Sequence, residues 1–322
     1  MSTGISTAKM ILFGEHAVVY GEPAISVPFT QALIKTEVSP STENQFASTF
    51  FTGPIEEMPP FLDGIKRLIL SIQKLLEQPE PLTVKVLSDV PVGRGLGSSA
   101  AVATSVTRGL YNYYEKKLTE EMLLKLVNHA EDAAHGNASG VDAITVVTEK
   151  PVWYAKGKNM ETIHFAGELT FVVADTGIPS ETKAAVADVG VLCKKEPLEY
   201  MPLIKELGGI SREMKELLET NIDKIRIGEA MNRSQSILEK LTVSDPKLEN
   251  LIQVALSAGA YGAKLTGGGR GGCMISIVEN REIAEKVVKA LQANGSAKEW
   301  IFTIGEGKHE GDRPSTYECG IN

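Results

Sequence analysis

Hydrophobic and polar positions follow two different rhythms along this chain. Lys9–Phe13 is a short apolar run stopped by Gly14. Ala32–Val38 and Leu82–Leu87 alternate apolar with polar residues, as half-buried strands do. Pro91 and three glycines break that pattern. From Ser98 a long helical stretch follows, AAVATSVTRGLYNYY, with Ser98 or Ser99 as its natural N-cap. A second helix is predicted from near Thr119 (TEEMLLKLVNHAEDAAHG), with acidic residues in its first turn and Gly136 at its end. Pro151–Ala155 and Leu169–Asp175 read as strands.

The second half is richer in helical spacing. Leu203–Leu218 and Ile222–Leu241 repeat Leu, Ile and Met at helical intervals, and Ser244 is placed to cap a further helix through Leu256. A strand ending near Leu265, the run TGGGRGGC, a strand at Met274–Val278, a helix from Arg281 to Ala293 and a strand at Trp300–Ile304 follow. Helix, strand, strand, helix, strand is part of a ferredoxin-like layout. A domain boundary is expected within 180–200. The tail from Gly305 is polar and unpatterned, and carries no functional reading.

Composition narrows the function classes. The chain has 322 residues, 43% hydrophobic and 23% charged, with a formal net charge of −8. That is an ordinary globular balance, and an acidic surface disfavours nucleic acid as a partner. Cys193, Cys273 and Cys319 have no CxxC spacing, which argues against a disulfide framework or a zinc site. Neither a basic leader nor an apolar run long enough to span a membrane is seen, so the expectation is a cytoplasmic protein without membrane partners.

The stretch PVGRGLGSSAA (91–101) concentrates the candidate chemistry. A P-loop needs a Lys before its Ser or Thr; here Gly97 stands before Ser98 and no Lys precedes either serine. The dinucleotide fingerprint is formally met by Gly95, Gly97 and Ala100, but the acidic partner expected about 20 residues on falls at the end of a helix, near Glu115. Gly267–Gly272 matches the same fingerprint, which shows how little it proves alone. Two readings stay open on residue types: a glycine turn whose backbone N–H groups face an anion at a helix N-terminus, or a plain capped helix with a flexible entry.

Three stretches in order resemble the GHMP kinase superfamily: KMILFGEHAVVYGEPAIS (9–26), PVGRGLGSSAA and KLTGGGRGGC (264–273). Within it, GEHAVVYG (14–21) and AHGNASGVDA (134–143) are similar to the mevalonate kinase family. The resemblance implies an α+β, two-domain GHMP kinase fold, with a ribosomal-protein-S5-like α/β N-terminal domain and a ferredoxin-like α+β C-terminal domain. The corresponding division is 1–185 for the nucleotide-binding domain, 186–305 for the C-terminal domain and 306–322 for a polar tail.

It also implies ATP-dependent phosphorylation of (R)-mevalonate, with ATP and Mg²⁺ as cofactors and a homodimer by analogy. The alternatives are another small-molecule kinase of the superfamily, acting on phosphomevalonate, a sugar or homoserine, or a non-catalytic nucleotide-binding protein.

Residue roles follow from the same resemblance. Pro91, Val92, Gly93, Arg94, Gly95, Leu96, Gly97, Ser98, Ser99, Ala100 and Ala101 are the candidate nucleotide contacts. Asp142 takes the place of the catalytic aspartate, although in isolation it reads as a turn carboxylate after Ser139–Gly140. Lys9 takes the place of the catalytic lysine, preceded by Thr7-Ala8 where the family has Pro-Gly. Ser99 and Glu131 are the implied magnesium ligands; alone, Glu131 reads as a solvated helix position. Lys9, Gly14, Glu15, His16, Asp142 and Thr182 are the implied substrate contacts, with Ser180 a weaker one. Arg270 reads equally as an anion contact or as a surface residue.

Overall fold

The structure is a computed structural model and describes residues 1–91, 93–135 and 139–305. Val92, Gly136 and the tail 306–322, singled out in the sequence, lie outside the described residues. The first half contains strands β1 (Ser2–Phe13), β2 (Ala24–Pro40), β3 (Gln45–Ala47) and β4 (Thr52–Pro54), helix α1 (Asp63–Leu75) and strand β5 (Leu82–Ser88). Helices α2 (Ser98–Tyr113), α3 (Glu120–His135) and α4 (Val141–Thr148) follow, then strands β6 (Val152–Tyr154) and β7 (Glu161–Thr162). The rest comprises β8 (Leu169–Asp175), helices α5 (Thr182–Lys195), α6 (Pro197–Thr220), α7 (Lys224–Lys240) and α8 (Pro246–Ser257), strands β9 (Gly262–Thr266) and β10 (Cys273–Val278), helix α9 (Arg281–Ala293) and β11 (Lys298–Ile304).

The first seven strands form one sheet in the order β4-β3-β5-β2-β6-β7, with β1 paired to β2. β1 and β2 run antiparallel, and the register shifts at Thr7/Ala8 and again between Ile11 and Phe13. These irregularities bracket Lys9. Irregular pairing bends a strand and re-aims its side chains, a common device beside active sites. Helix α2 lies directly on β1: a Cβ at Gly4 would fall 2.1 Å from the Ser105 carbonyl oxygen, so only glycine lets the strand approach the helix this closely.

The second sheet has the order β11-β8-β10-β9, antiparallel throughout. With α7, α8 and α9 it completes the ferredoxin-like arrangement, whose first strand is β8. A division drawn at residue 185 therefore cuts between β8 and its sheet partners. All seven residues of β8 are buried. The outer edge of β9 is covered by side chains of α7: Asn232 Oδ1 accepts from Ala263 N at 3.0 Å and Gln235 Oε1 from Leu265 N at 2.9 Å. The two sheets share one core, in which Phe29 of β2 meets Trp300 and Phe302 of β11 edge to face at 5.6 Å.

Two caps differ from the sequence expectation. Helix α2 is preceded by Gly97 in the left-handed region (φ 67°), and no side chain caps it, so neither Ser98 nor Ser99 is the N-cap. Asp245, not Ser244, caps α8, accepting from Lys247 N and Leu248 N at 2.8 and 3.2 Å. A carboxylate one residue on satisfies two of the open N–H groups, where a serine hydroxyl would have met one.

Candidate active site

The glycine turn and the entry to α2 sit where the two sheets meet. The first N–H groups of a helix have no intrahelical acceptor. Because no side chain caps α2, those of its first turn are left for an anion, which the helix dipole also favours. The facing wall is the second glycine run, 266–272. A Cβ at Gly95 would lie 2.8 Å from the Thr266 carbonyl oxygen, and one at Gly267 would lie 2.6 Å from the Gly95 oxygen. Ser180 ties the two turns together, its N–H donating to Gly93 O at 2.6 Å and its hydroxyl to Gly269 O at 2.7 Å.

The side chain of Arg94 turns away from the glycine turn. Its Nε donates to Asp175 at 2.9 and 3.1 Å and its Nη2 to Gly177 O at 3.0 Å, so it braces the turn against β8. Arg270 is likewise engaged, its Nη1 with Asp188 Oδ2 at 2.5 Å and its Nε with the Thr242 oxygen at 3.1 Å.

Lys9 and Asp142 converge from distant parts of the chain. Lys9, buried between Ala8 and Met10 on β1, places Nζ 2.7 Å from Asp142 Oδ1 and 3.3 Å from Gly95 O. Its methylenes pack on Gly97, where a Cβ would meet Lys9 Cγ and Cε at 2.7 Å. Asp142 is not in a polar turn: it is the second residue of α4, behind Gly140 in the left-handed region. α4 reads poorly as a helix because it is buried on nearly every side and rich in β-branched residues, which erases the amphipathic period. Tyr154 donates to Ser139 O at 3.0 Å and fixes the approach to this helix.

Glu131 of α3 is buried rather than solvated. Burial raises its carboxyl to about 7; the Asp142 charge adds to that, while a hydrogen bond from Ser99 and the Lys9 charge oppose it. Its Oε1 is buried with no hydrogen-bond partner among the described residues. A buried carboxylate oxygen without a donor, beside a serine hydroxyl, suits a hard cation.

The segment 14–16 meets the far end of β9. His16 has φ 59° and is buried; its Nε2 lies 3.0 Å from Gly268 O, which can only accept, so Nε2 carries the proton. Burial holds the imidazole at about 4, against the Gly268 hydrogen bond, so the ring is neutral near pH 7. Nδ1 is then a buried lone pair with no partner among the described residues. It can accept from a hydroxyl and has no proton to give a carboxylate.

Glu15, expected to face substrate, is wholly buried and ion-paired to Lys264 of β9, a residue the sequence reading passed over. Burial pushes the Glu15 carboxyl up and the Lys264 ammonium down, and each charge opposes the shift of the other. A lysine between Ala263 and Leu265 in an apolar strand was the one available signal. Thr182 opens α5 and lies against Gly268, where a Cβ would be 2.7 Å from Thr182 Cα. Gly14 turns the chain at φ 95° against Pro23 and Ala24.

Residues 64–150 match the family GHMP kinases N terminal domain, and residues 214–297 match GHMP kinases C terminal. The mevalonate kinase of Pyrococcus furiosus is 33% identical over 310 residues, covering 89% of this chain and 92% of that protein. The chain belongs to the mevalonate kinase family. The family's member from Methanothermobacter thermautotrophicus is 29% identical, covering 94% of this chain and 98% of its own. Among solved structures, the L. major mevalonate kinase in complex with R-mevalonate superposes with a TM-score of 0.77 at 25% identity, covering 95% of this chain and 96% of that one. A Staphylococcus aureus mevalonate kinase gives a TM-score of 0.72 at 33% identity, covering 94% and 98%. As in other mevalonate kinases, the architecture is the two-domain GHMP kinase fold.

Proposed function

We propose that this enzyme transfers the γ-phosphoryl group of ATP to the primary hydroxyl of (R)-mevalonate, giving 5-phosphomevalonate and ADP. The observation that carries the reading is the Lys9–Asp142 ion pair, 2.7 Å long, set beneath the glycine turn in a chain of this family. In the transfer, the acceptor oxygen forms a bond to the γ-phosphorus while the bond to the ADP oxygen breaks, and Asp142 accepts the hydroxyl proton. The Lys9 ammonium offsets the negative charge gathering around the transferring group. The open N–H groups at the start of α2 and the backbone of 93–101 hold the nucleotide phosphates.

Ser99 and Glu131 are the residues that would hold Mg²⁺, which supplies charge neutralisation at the nucleotide phosphates when bound. The unpartnered Glu131 Oε1 supports this assignment. His16 Nδ1 accepts a hydroxyl of the acceptor, while Thr182 and the segment leading into α5 line its other side.

A coupled ADP-release assay with a panel of acceptors tests the reading. Mevalonate is expected to support turnover, with phosphomevalonate, homoserine and galactose at background. Turnover with one of the others in place of mevalonate overturns the acceptor assignment.

A further inference from the structure

Lys264 and Glu15 are both fully enclosed, and their ion pair joins β9 to the turn after β1. Removing two charges from water is expensive, and apolar side chains of similar volume often serve stability as well or better. The placement of the pair suggests another role. Three alternate residues of the β9 end reach across to the first domain: Lys264 to Glu15, Thr266 to Ile11 and Gly268 to His16. The Thr266 hydroxyl donates to Ile11 O at 3.0 Å and accepts from Ile11 N at 3.1 Å, which sets β9 beside β1. Lys9 and Lys264 each lie two residues from that contact, Lys9 paired with Asp142 and Lys264 with Glu15. The Lys9 charge acts on both members of the buried pair, favouring the anion at Glu15 and disfavouring the cation at Lys264. One oxygen of Glu15 is taken by Lys264, and the other has no partner among the described residues.

We propose that Lys264 is a positioning residue for phosphoryl transfer: by engaging Glu15 it keeps that carboxylate from competing for Lys9, so that Lys9 stays on Asp142, and it fastens the His16 segment to β9. The inference rests on the Lys9–Asp142 reading above. Lys264 itself touches neither the nucleotide nor the acceptor. Its second acceptor is the Leu265 oxygen at 2.7 Å, which fixes the ammonium on its own strand and so fixes where Glu15 must lie. Glu15 immediately precedes His16, whose strained backbone (φ 59°, ψ −40°) persists only if its surroundings hold it. A neutral side chain at 264 would release both constraints, and Glu15 would find its nearest cation in Lys9.

The test measures Lys264→Met on two backgrounds, wild type and Glu15→Gln, with kcat and both KM values per folded enzyme. On the wild-type background, kcat is expected to fall roughly 30-fold or more, with acceptor KM raised and ATP KM within about twofold. On the Glu15→Gln background no carboxylate is left to capture Lys9, and the same substitution is expected to cost kcat about threefold or less. Equal losses on both backgrounds, or no loss on the wild-type background, overturn the proposal, since a lysine that acts through Glu15 must depend on the charge there; a loss confined to stability or to the folded fraction, with kcat per folded enzyme unchanged, overturns it as well. Should the single variant fail to fold, Lys264→Gln takes its place on both backgrounds and is judged by the same criteria. Lys9→Met is measured alongside. Retained turnover there sinks the catalytic reading itself, whereas an inactive Lys9→Met with background-independent losses at Lys264 sinks only this inference.

Discussion

Asp142, Glu131 and His16 show at the residue scale how burial and partners assign roles. Asp142→Asn keeps the shape of the side chain and removes the proton acceptor. It is expected to lower kcat by about 10²–10⁴-fold while nucleotide affinity is unchanged, as read by fluorescent-nucleotide titration beside steady-state rates. Ser99→Ala and Glu131→Gln each take an oxygen donor from the proposed metal position. The Mg²⁺ concentration giving half-maximal rate is expected to rise roughly tenfold or more in each, and unchanged magnesium dependence removes them from that position.

His16 makes a prediction on stability with a defined sign. Its imidazole sits at about 4 in the fold against an ordinary 6.5, so the folded state resists its protonation. The stability this residue contributes is present above pH 6.5 and lost as pH falls toward 4. Between pH 7 and pH 5 the loss is about 2 kcal/mol. His16→Asn is expected to lack that component of the acid sensitivity in urea unfolding at the two pH values.

At the scale of elements, the start of α2 depends on a glycine for two reasons at once. Gly97 has φ 67°, and a Cβ there would meet the Lys9 stem at 2.7 Å. Gly97→Ala is expected to cost about 1–3 kcal/mol in stability, seen as a lower Tm, and to lower kcat by displacing Lys9 from Asp142. A glycine-rich turn entering a helix was legible in the sequence. That glycine, rather than a serine, ends the turn was not, because serine is the commoner cap and the competing demand comes from Lys9, some ninety positions away. α4 has no sequence signature because its apolar positions show no face, and α5 (182–195) falls within 180–200, where a domain boundary is expected. α4 exists through packing more than through local preference.

At the scale of the whole molecule, β8 settles how the two halves depend on each other. It follows the first domain in sequence yet pairs with β10 and β11. Phe29, Trp300 and Phe302 then join the two sheets in one core. Separate pieces 1–185 and 186–305 are therefore expected not to fold independently: the first would expose the wholly buried β8, and the second would lack the strand between β10 and β11. Far-UV circular dichroism should show the loss of a cooperative transition in each piece, where the intact chain has one. Two pieces that each melt cooperatively would overturn this picture.

Much of the architecture follows from local pattern. Period-two and helical runs mark β5, α2, α3, α9 and most of α6 and α7, and the three glycine-bearing motifs carry the family and with it the candidate catalytic set. Local pattern works there because those elements have one buried face, and because turns near phosphate need particular residue types wherever they occur. Tertiary structure decided the rest. It placed Asp142 on a helix, turned Arg94 and Arg270 toward carboxylates, buried Glu131, and hid Glu15 against Lys264. Apart from the lysine in the apolar strand at 264, none of these has a local signature, because each is settled by which charges and dipoles enclose a side chain, and those arrive from parts of the chain that only the fold brings together.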